Sequence, residues 1–164
     1  MIRVERDGDE AAIDRVVAAA FGQRDEADLV RALRSDGCWL PHLSLVDVDE
    51  ADAVRGHVAF TRAFVDGVPV LALAPLAVAP AHQRRGIGST LVRAGLTQAH
   101  ADGEGTVVVL GDPAYYGRFG FHPARTDGIT GPFGDIDAFQ SLVLHEPAAR
   151  GVMVYAAPFG LPPD

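Results

Sequence analysis

Apolar positions recur at two different spacings along this chain, and the change between them separates a helical front from a strand-rich remainder. Ile13, Val16, Val17, Ala20 and Phe21 recur at helical spacing, and Gly22 stands where that helix would end. Asp7-Gly-Asp-Glu ahead of it supplies capping residues and acid for a helix N-terminus. Leu29, Val30 and Leu33 predict a second helix over 26–34, with Gly37 just past its end. From there the period shortens to two. A short strand is expected over 2–4 and another over 43–48, followed by an acidic loop over 47–52. Val54, Gly56, Val58 and Phe60 alternate with Arg55, His57, Ala59 and Thr61. Asp66-Gly67 is a strong hairpin turn signal, and a long apolar strand returns over 68–78. Pro75 interrupts that strand. It cannot donate to a ladder, so the sheet should open or bulge there.

The helical period resumes with Ile87, Leu91, Val92, Gly95, Leu96 and Ala99, and Asp102-Gly103-Glu104-Gly105 breaks it. Residues 106–110 read as a buried strand. A helix crosses between it and the strand over 68–78, so the two should run parallel. A short helix fits 113–119, with proline in its first turn. Strands over 139–144 and 152–155 form a C-terminal pair. This order predicts one mixed α/β domain over 1–164, mostly antiparallel, with a central parallel βαβ pair and a splay near Pro75.

Composition narrows the range of functions. At 164 residues about 70% of the unfolded surface can be buried, so neither a metal nor a disulfide is needed as a staple. The single cysteine, Cys38, reads as a small buried hydrophobe in a protein of a reducing compartment. No signal peptide and no 18-residue apolar run is present, so a soluble cytoplasmic protein without a membrane partner is expected. A net charge of −8 argues against nucleic acid as a partner. His42, His100, His122 and His145 show no metal-ligand spacing, and no metal is expected.

The segment Val78-Ala-Pro-Ala-His-Gln-Arg-Arg-Gly-Ile-Gly-Ser89 joins an apolar strand to an amphipathic helix. A helix N-terminus leaves free N–H groups and partial positive charge, and two glycines let an anion approach the backbone. Arg84 and Arg85 add fixed charge, which together make a pyrophosphate site. An ATP-type phosphate loop requires a lysine, and the chain has none. A dinucleotide fingerprint requires a third glycine where Leu91 stands.

Gln83-Arg84-Arg85-Gly86-Ile87-Gly88 resembles instead motif A of the GNAT superfamily of N-acetyltransferases, and Tyr115-Tyr116-Gly117-Arg118-Phe119-Gly120-Phe121 is similar to a downstream segment of that superfamily. The run over 110–121 is most similar to the branch typified by YhbS. The resemblance implies the GNAT fold and acetyl transfer from acetyl-CoA to a primary amine by direct attack. It implies that the backbone of Leu76, Ala77 and Val78 pairs with the pantetheine arm, that backbone N–H groups of Arg84, Arg85, Gly86, Ile87, Gly88 and Ser89 hold the pyrophosphate with Gln83 also in the cofactor site, and that Tyr116 is the general acid toward the departing thiolate. The acceptor, a small-molecule amine or a protein amino group, would lie between the first two helices, the hairpin and the C-terminal strands. A homodimer is common among such proteins. One departure stands out. Many relatives carry a glutamate on the strand before motif A, whereas residues 70–78 contain no ionisable side chain. His57 and His82 are the other candidates for a base. The gap also admits an alternative, an acyl-CoA-binding sensor or structural domain without turnover.

Overall fold

The computed structural model describes residues 1–161. Its strands are β1 (Ile2–Val4), β2 (Ser44–Val48), β3 (Val54–Val65), β4 (Val68–Val78), β5 (Thr106–Leu110), β6 (His122–Pro123), β7 (Ile129–Thr130), β8 (Phe139–Val143) and β9 (Gly151–Val154). Its α-helices are α1 (Glu10–Phe21), α2 (Asp25–Arg34), α3 (Ile87–Ala101) and α4 (Pro113–Tyr116). The sheet runs β1-β2-β3-β4-β5-β8-β6, with β9 added to β3. Within that path only β4 and β5 run parallel, joined by the α3 crossover.

The two sides of the sheet are filled by different helices because successive side chains on a strand point to opposite faces. Val58, Phe60, Leu71 and Leu73 meet Leu91, Val92 and Ala99 of α3. On the other face Val46, Val48 and Ala77 meet Ile13, Val17 and Val30 of α1 and α2. The α3 contact is close because Gly95 has no side chain: the Phe60 ring fills the space a Cβ would take.

The hairpin closes at Asp66-Gly67, whose φ values of 47° and 78° fit a two-residue turn with both central residues left-handed. The opening expected at Pro75 is present, and the register shows how it arises. Phe60 pairs with Leu73 and Val58 with Leu76, so Ala74 and Pro75 together oppose the single residue Ala59. The parallel ladder to β5 stops at the same place, with Leu73 opposite Val109 as its last pair. β4 and β5 therefore diverge beyond Leu73, and a cleft opens between them.

Three local expectations are corrected. Asp9 stands at the start of α1 but makes no cap; its carboxylate is taken by the Arg3 guanidinium at 2.7 and 3.0 Å and by the Arg6 N–H at 2.9 Å. α2 ends at Ser35, with φ −95°, rather than on a left-handed glycine, so Gly37 has no capping role. The two C-terminal strands are not a pair. β2 leaves β3 at Ala59; beyond it the Arg62 N–H donates to the Cys38 carbonyl, and β9 pairs with the same edge at Phe64 and Val65 while β8 pairs with β5. The two-residue strands β6 and β7 are too short to leave a period in the sequence.

Candidate active site

Two cavities meet at the end of β4. The first lies over the loop that joins β4 to α3. After β4 the chain makes a single tight turn at Pro80–His82, then reverses through two left-handed residues, Arg84 with φ 62° and Gly86 with φ 83°. Gly86 stands at the start of α3 with no side-chain cap. The N–H groups of Ile87, Gly88 and Ser89 begin the helix and so have no acceptor four residues back. No acidic side chain occupies the first turn to offset their partial positive charge. They face a cavity of about 520 Å³ lined by Leu76, Val78, Gln83, Arg84, Gly86 and Arg118, among others.

Of the predicted residues, Leu76, Val78, Gln83, Arg84, Gly86, Ile87, Gly88 and Ser89 line this cavity, while Ala77 and Arg85 do not. Arg85, like Arg84, is exposed. Ala77 is turned inward by strand alternation, its side chain buried against α1 and α2. Its backbone is also engaged. The Ala79 N–H donates to the Arg55 carbonyl, and alternation along an antiparallel pair then directs the Ala77 N–H and C=O at His57 of β3. Leu76 and Val78 therefore present their backbone groups toward the splay. The Gln83 side-chain amide donates to the Val78 carbonyl at 2.9 Å, which fits that orientation.

Sequence reasoning missed Arg118 and Tyr115 at this cavity. The Arg118 guanidinium lies 4.4 Å over the Tyr115 ring and donates to the Ser89 hydroxyl at 3.2 Å and to the Tyr115 carbonyl at 3.2 Å. It brings a cation to the start of α3 that the 84–85 pair only half supplies. The i, i+3 spacing of Tyr115 and Arg118 on a turn of helix was the signal that could have found it. His82 also lines the cavity, and its Nδ1 is buried with no partner among the described residues.

The second cavity, of about 340 Å³, fills the splay between β4 and β5. Tyr116 lines it, together with Leu73, Ala74, Pro75 and Leu76 on one side and Val109, Leu110 and Gly111 on the other. α4 starts at Pro113, where the Asp112 carboxylate caps the Ala114 N–H at 2.9 Å, and this turn sets the two tyrosines in different cavities. Burial, with Tyr115 nearby as a lesser cause, pushes the Tyr116 hydroxyl up to about 12. Its ring stands edge-on to Tyr115 at 4.9 Å and to Phe121 at 5.8 Å. From α2 the cavity receives one carboxylate, Glu26, whose oxygens accept from the Gln23 amide at 2.6 and 3.0 Å.

The other candidates lie elsewhere. His57 is fully buried on the α1–α2 side of the sheet, 2.9 Å from the Ser44 hydroxyl, and lines neither cavity. Burial, and secondarily the charge of Arg34, lowers its imidazole to about 3. Cys38 is half-buried, its thiol raised by burial, and also lines neither cavity. Among the described residues no three His, Cys, Asp or Glu side chains gather to hold a metal ion, and no helix is long and apolar enough to cross a membrane.

Comparison with known proteins places this geometry in context. Residues 10–121 match the model of the acetyltransferase (GNAT) family. The chain is 38% identical over 155 residues to the uncharacterized N-acetyltransferase YhbS of Escherichia coli K12, covering 93% of this chain and 92% of that protein. It is 43% identical over 130 residues to the uncharacterized N-acetyltransferase YjhQ of the same organism, covering 76% of this chain and 71% of that protein. Among solved structures, the E. coli YhbS complex with CoA superposes with a TM-score of 0.90 at 35% identity, covering 98% of this chain and 91% of that one. A GNAT acetyltransferase from Brucella melitensis in complex with acetyl-CoA gives 0.82 at 34% identity, covering 97% of each chain.

Proposed function

The chain belongs to the GNAT family of acetyltransferases, and on that premise we propose that it moves an acetyl group from acetyl-CoA to a primary amine by direct attack. The observation that carries this reading is the junction at Leu76, which lines both cavities. One cavity has the chemistry for a pyrophosphate and the other an apolar mouth with a phenol. A ligand lying along the outer edge of β4 would run from one into the other.

In this reading the pyrophosphate sits against the N–H groups at the start of α3, with Arg84 and Arg118 as cations. The backbone of Leu76 and Val78 pairs with the pantetheine amides as a further strand would, and Ala77 holds β4 to β3. The thioester then reaches the splay. A neutral amine forms the new C–N bond at the carbonyl carbon while a backbone N–H near Val78, that of Leu76 at the junction of the two cavities, polarises the carbonyl oxygen. As the C–S bond breaks, the sulfur takes the phenolic proton of Tyr116. The amine's surplus proton leaves to a carboxylate or to water, and the Tyr116 phenolate takes a proton back from water to close the cycle. A phenol held near 12 keeps its proton across the neutral range, which suits an acid better than a base.

The rival reading, an acyl-CoA-binding domain without turnover, drew on the lack of an ionisable side chain along β4. Glu26 weakens that ground, because a carboxylate reaches the same cavity from α2. Thiol release from acetyl-CoA against a panel of amines tests the proposal, with acetyl-CoA binding followed by calorimetry on the same preparation. Amine-dependent release is expected. Tight binding with no release for any amine would favour the rival.

A further inference from the structure

The walls of the splay cavity are more specific than its place in the fold requires. Aromatic rings enter it from three parts of the chain: Phe21 from α1, Tyr116 from α4, and Phe133, Tyr155 and Phe159 from the C-terminal segment. Tyr155 is half-buried, burial raises its hydroxyl well above the ordinary range, and its ring packs against Phe133 at 5.7 Å and Phe159 at 5.2 Å. Among the described residues Glu26 is the one charged side chain in the lining, and no cation accompanies it. Gln23 fixes the carboxylate through both oxygens and leaves it further lone pairs.

We propose that the acceptor is a small primary amine on an apolar body the size of a single ring, held with its ammonium on Glu26 and its body against Phe133, Tyr155 and Phe159. This rests on the transfer reading above and names the substrate class of the same site. The ammonium finds its counter-charge on Glu26 at the solvent-exposed rim of the cavity, and the body lies against the apolar walls behind it. The rings offer edge and face contacts to an aromatic or branched body. A volume of about 340 Å³ is at the small end for ligand sites and, shared with the thioester end, leaves room for no more than one ring with a short side chain. Selectivity comes from repulsion as well as attraction. A carboxylate next to the amine would enter a cavity whose one charged group is already negative, so free amino acids are disfavoured. A second ammonium would have no partner in the lining and would be desolvated without return.

The test is calorimetry on the CoA-loaded protein, which binds without turning over. The probes are 2-phenylethylamine, its carboxylated analogue phenylalanine, and 1,4-diaminobutane. 2-Phenylethylamine should bind at least about tenfold more tightly than either of the others, and Glu26→Gln should weaken it by about 10- to 100-fold. A CoA titration on the same sample shows that the variant is folded; if it is not, Gln23→Leu reads the same anchor and should weaken the amine several-fold. In turnover the Glu26→Gln loss should fall mainly on KM for the amine. Equal binding of phenylalanine or diaminobutane, no binding of any probe, or unchanged binding in the variants would overturn the proposal. Amine binding of the expected pattern without thiol release from acetyl-CoA would leave it standing and defeat the transfer reading instead.

Discussion

The Tyr116 ring occupies the space that a side chain on Gly111 would need: a Cβ there would stand 2.9 Å from Cδ2 and closer still to Cε2. Gly111 is the first residue after β5, its N–H bonded to the Ala138 carbonyl, so its backbone is fixed from the other side. The ring therefore has one place to lie, across the strand end and at the mouth of the splay. Gly111→Ala forces the ring aside. It should cost about 1–3 kcal/mol of stability by overpacking. Turnover should fall while acetyl-CoA affinity holds, since the pyrophosphate loop is untouched. A thermal melt with paired kinetics checks this, and a fully active variant would show that the position of Tyr116 is not used.

The pH profile of transfer follows from the same residue. Burial holds the Tyr116 phenol at about 12, so it does not lose its proton in the working range. The rate should rise with pH as the amine is freed and show no descending limb below pH ~10 that depends on Tyr116. Tyr116→Phe should reduce turnover by about a hundredfold and leave cofactor affinity nearly intact. A descending limb near neutrality that vanishes in Tyr116→Phe would contradict the assignment, and equal loss of turnover and affinity would point to packing.

Arg118 and Arg85 should behave oppositely despite being the same residue type. Arg118→Ala removes the guanidinium stacked on Tyr115 and bonded to Ser89. It should weaken acetyl-CoA by about tenfold, less at high salt. Arg85 is exposed and outside the cavity lining, and Arg85→Ala should change affinity by no more than about twofold. Calorimetry at two ionic strengths separates them; the reverse ranking would mean that the loop rearranges on binding.

Acid stability should report His57. Its imidazole titrates near 3 in the fold against 6.5 ordinarily, because it is buried and because Arg34 lies nearby. Glu5, 3.9 Å away, is the carboxylate facing it, and Ser44 is its hydrogen-bond partner. Between those two pH values the unfolded chain binds a proton that the folded chain refuses. The contribution is fully present above pH ~6.5 and is lost progressively as the pH falls toward 3. His57→Gln should therefore lose less melting temperature than the parent between pH 6.5 and 4. Parallel curves would show that the proton is taken up without unfolding.

Much of this was legible from side-chain period and glycine placement. The β3–β4 hairpin, the α3 crossover and the opening at Pro75 follow from alternation, Asp66-Gly67 and a proline that cannot donate. The loop between β4 and α3 was legible because its glycines and arginines are local in sequence. The rest depends on contacts between distant segments. Glu26 reaches the splay because α2 packs against α1, which covers β4, and against the turn at Ala157–Phe159, and nothing in its surroundings marks it out from Asp25 or Asp28. β9 joins β3 because β2 is shorter than β3, a difference in length between strands that no single stretch records. Ala77 and Arg85 were read by position in a motif, whereas strand alternation turns the Ala77 side chain inward and Arg85 lies outside the lining of the first cavity.

Acetyl-CoA titrated into the parent protein and into Gly86→Val bears most directly on the account. Gly86 has φ 83° and open space around its missing Cβ, at the mouth of the loop that faces the first cavity. A branched side chain there would be strained and would stand where the phosphates are placed. The predicted result is saturable binding by the parent and its loss in a variant that still melts cooperatively. Normal acetyl-CoA binding by Gly86→Val would contradict the account at its centre.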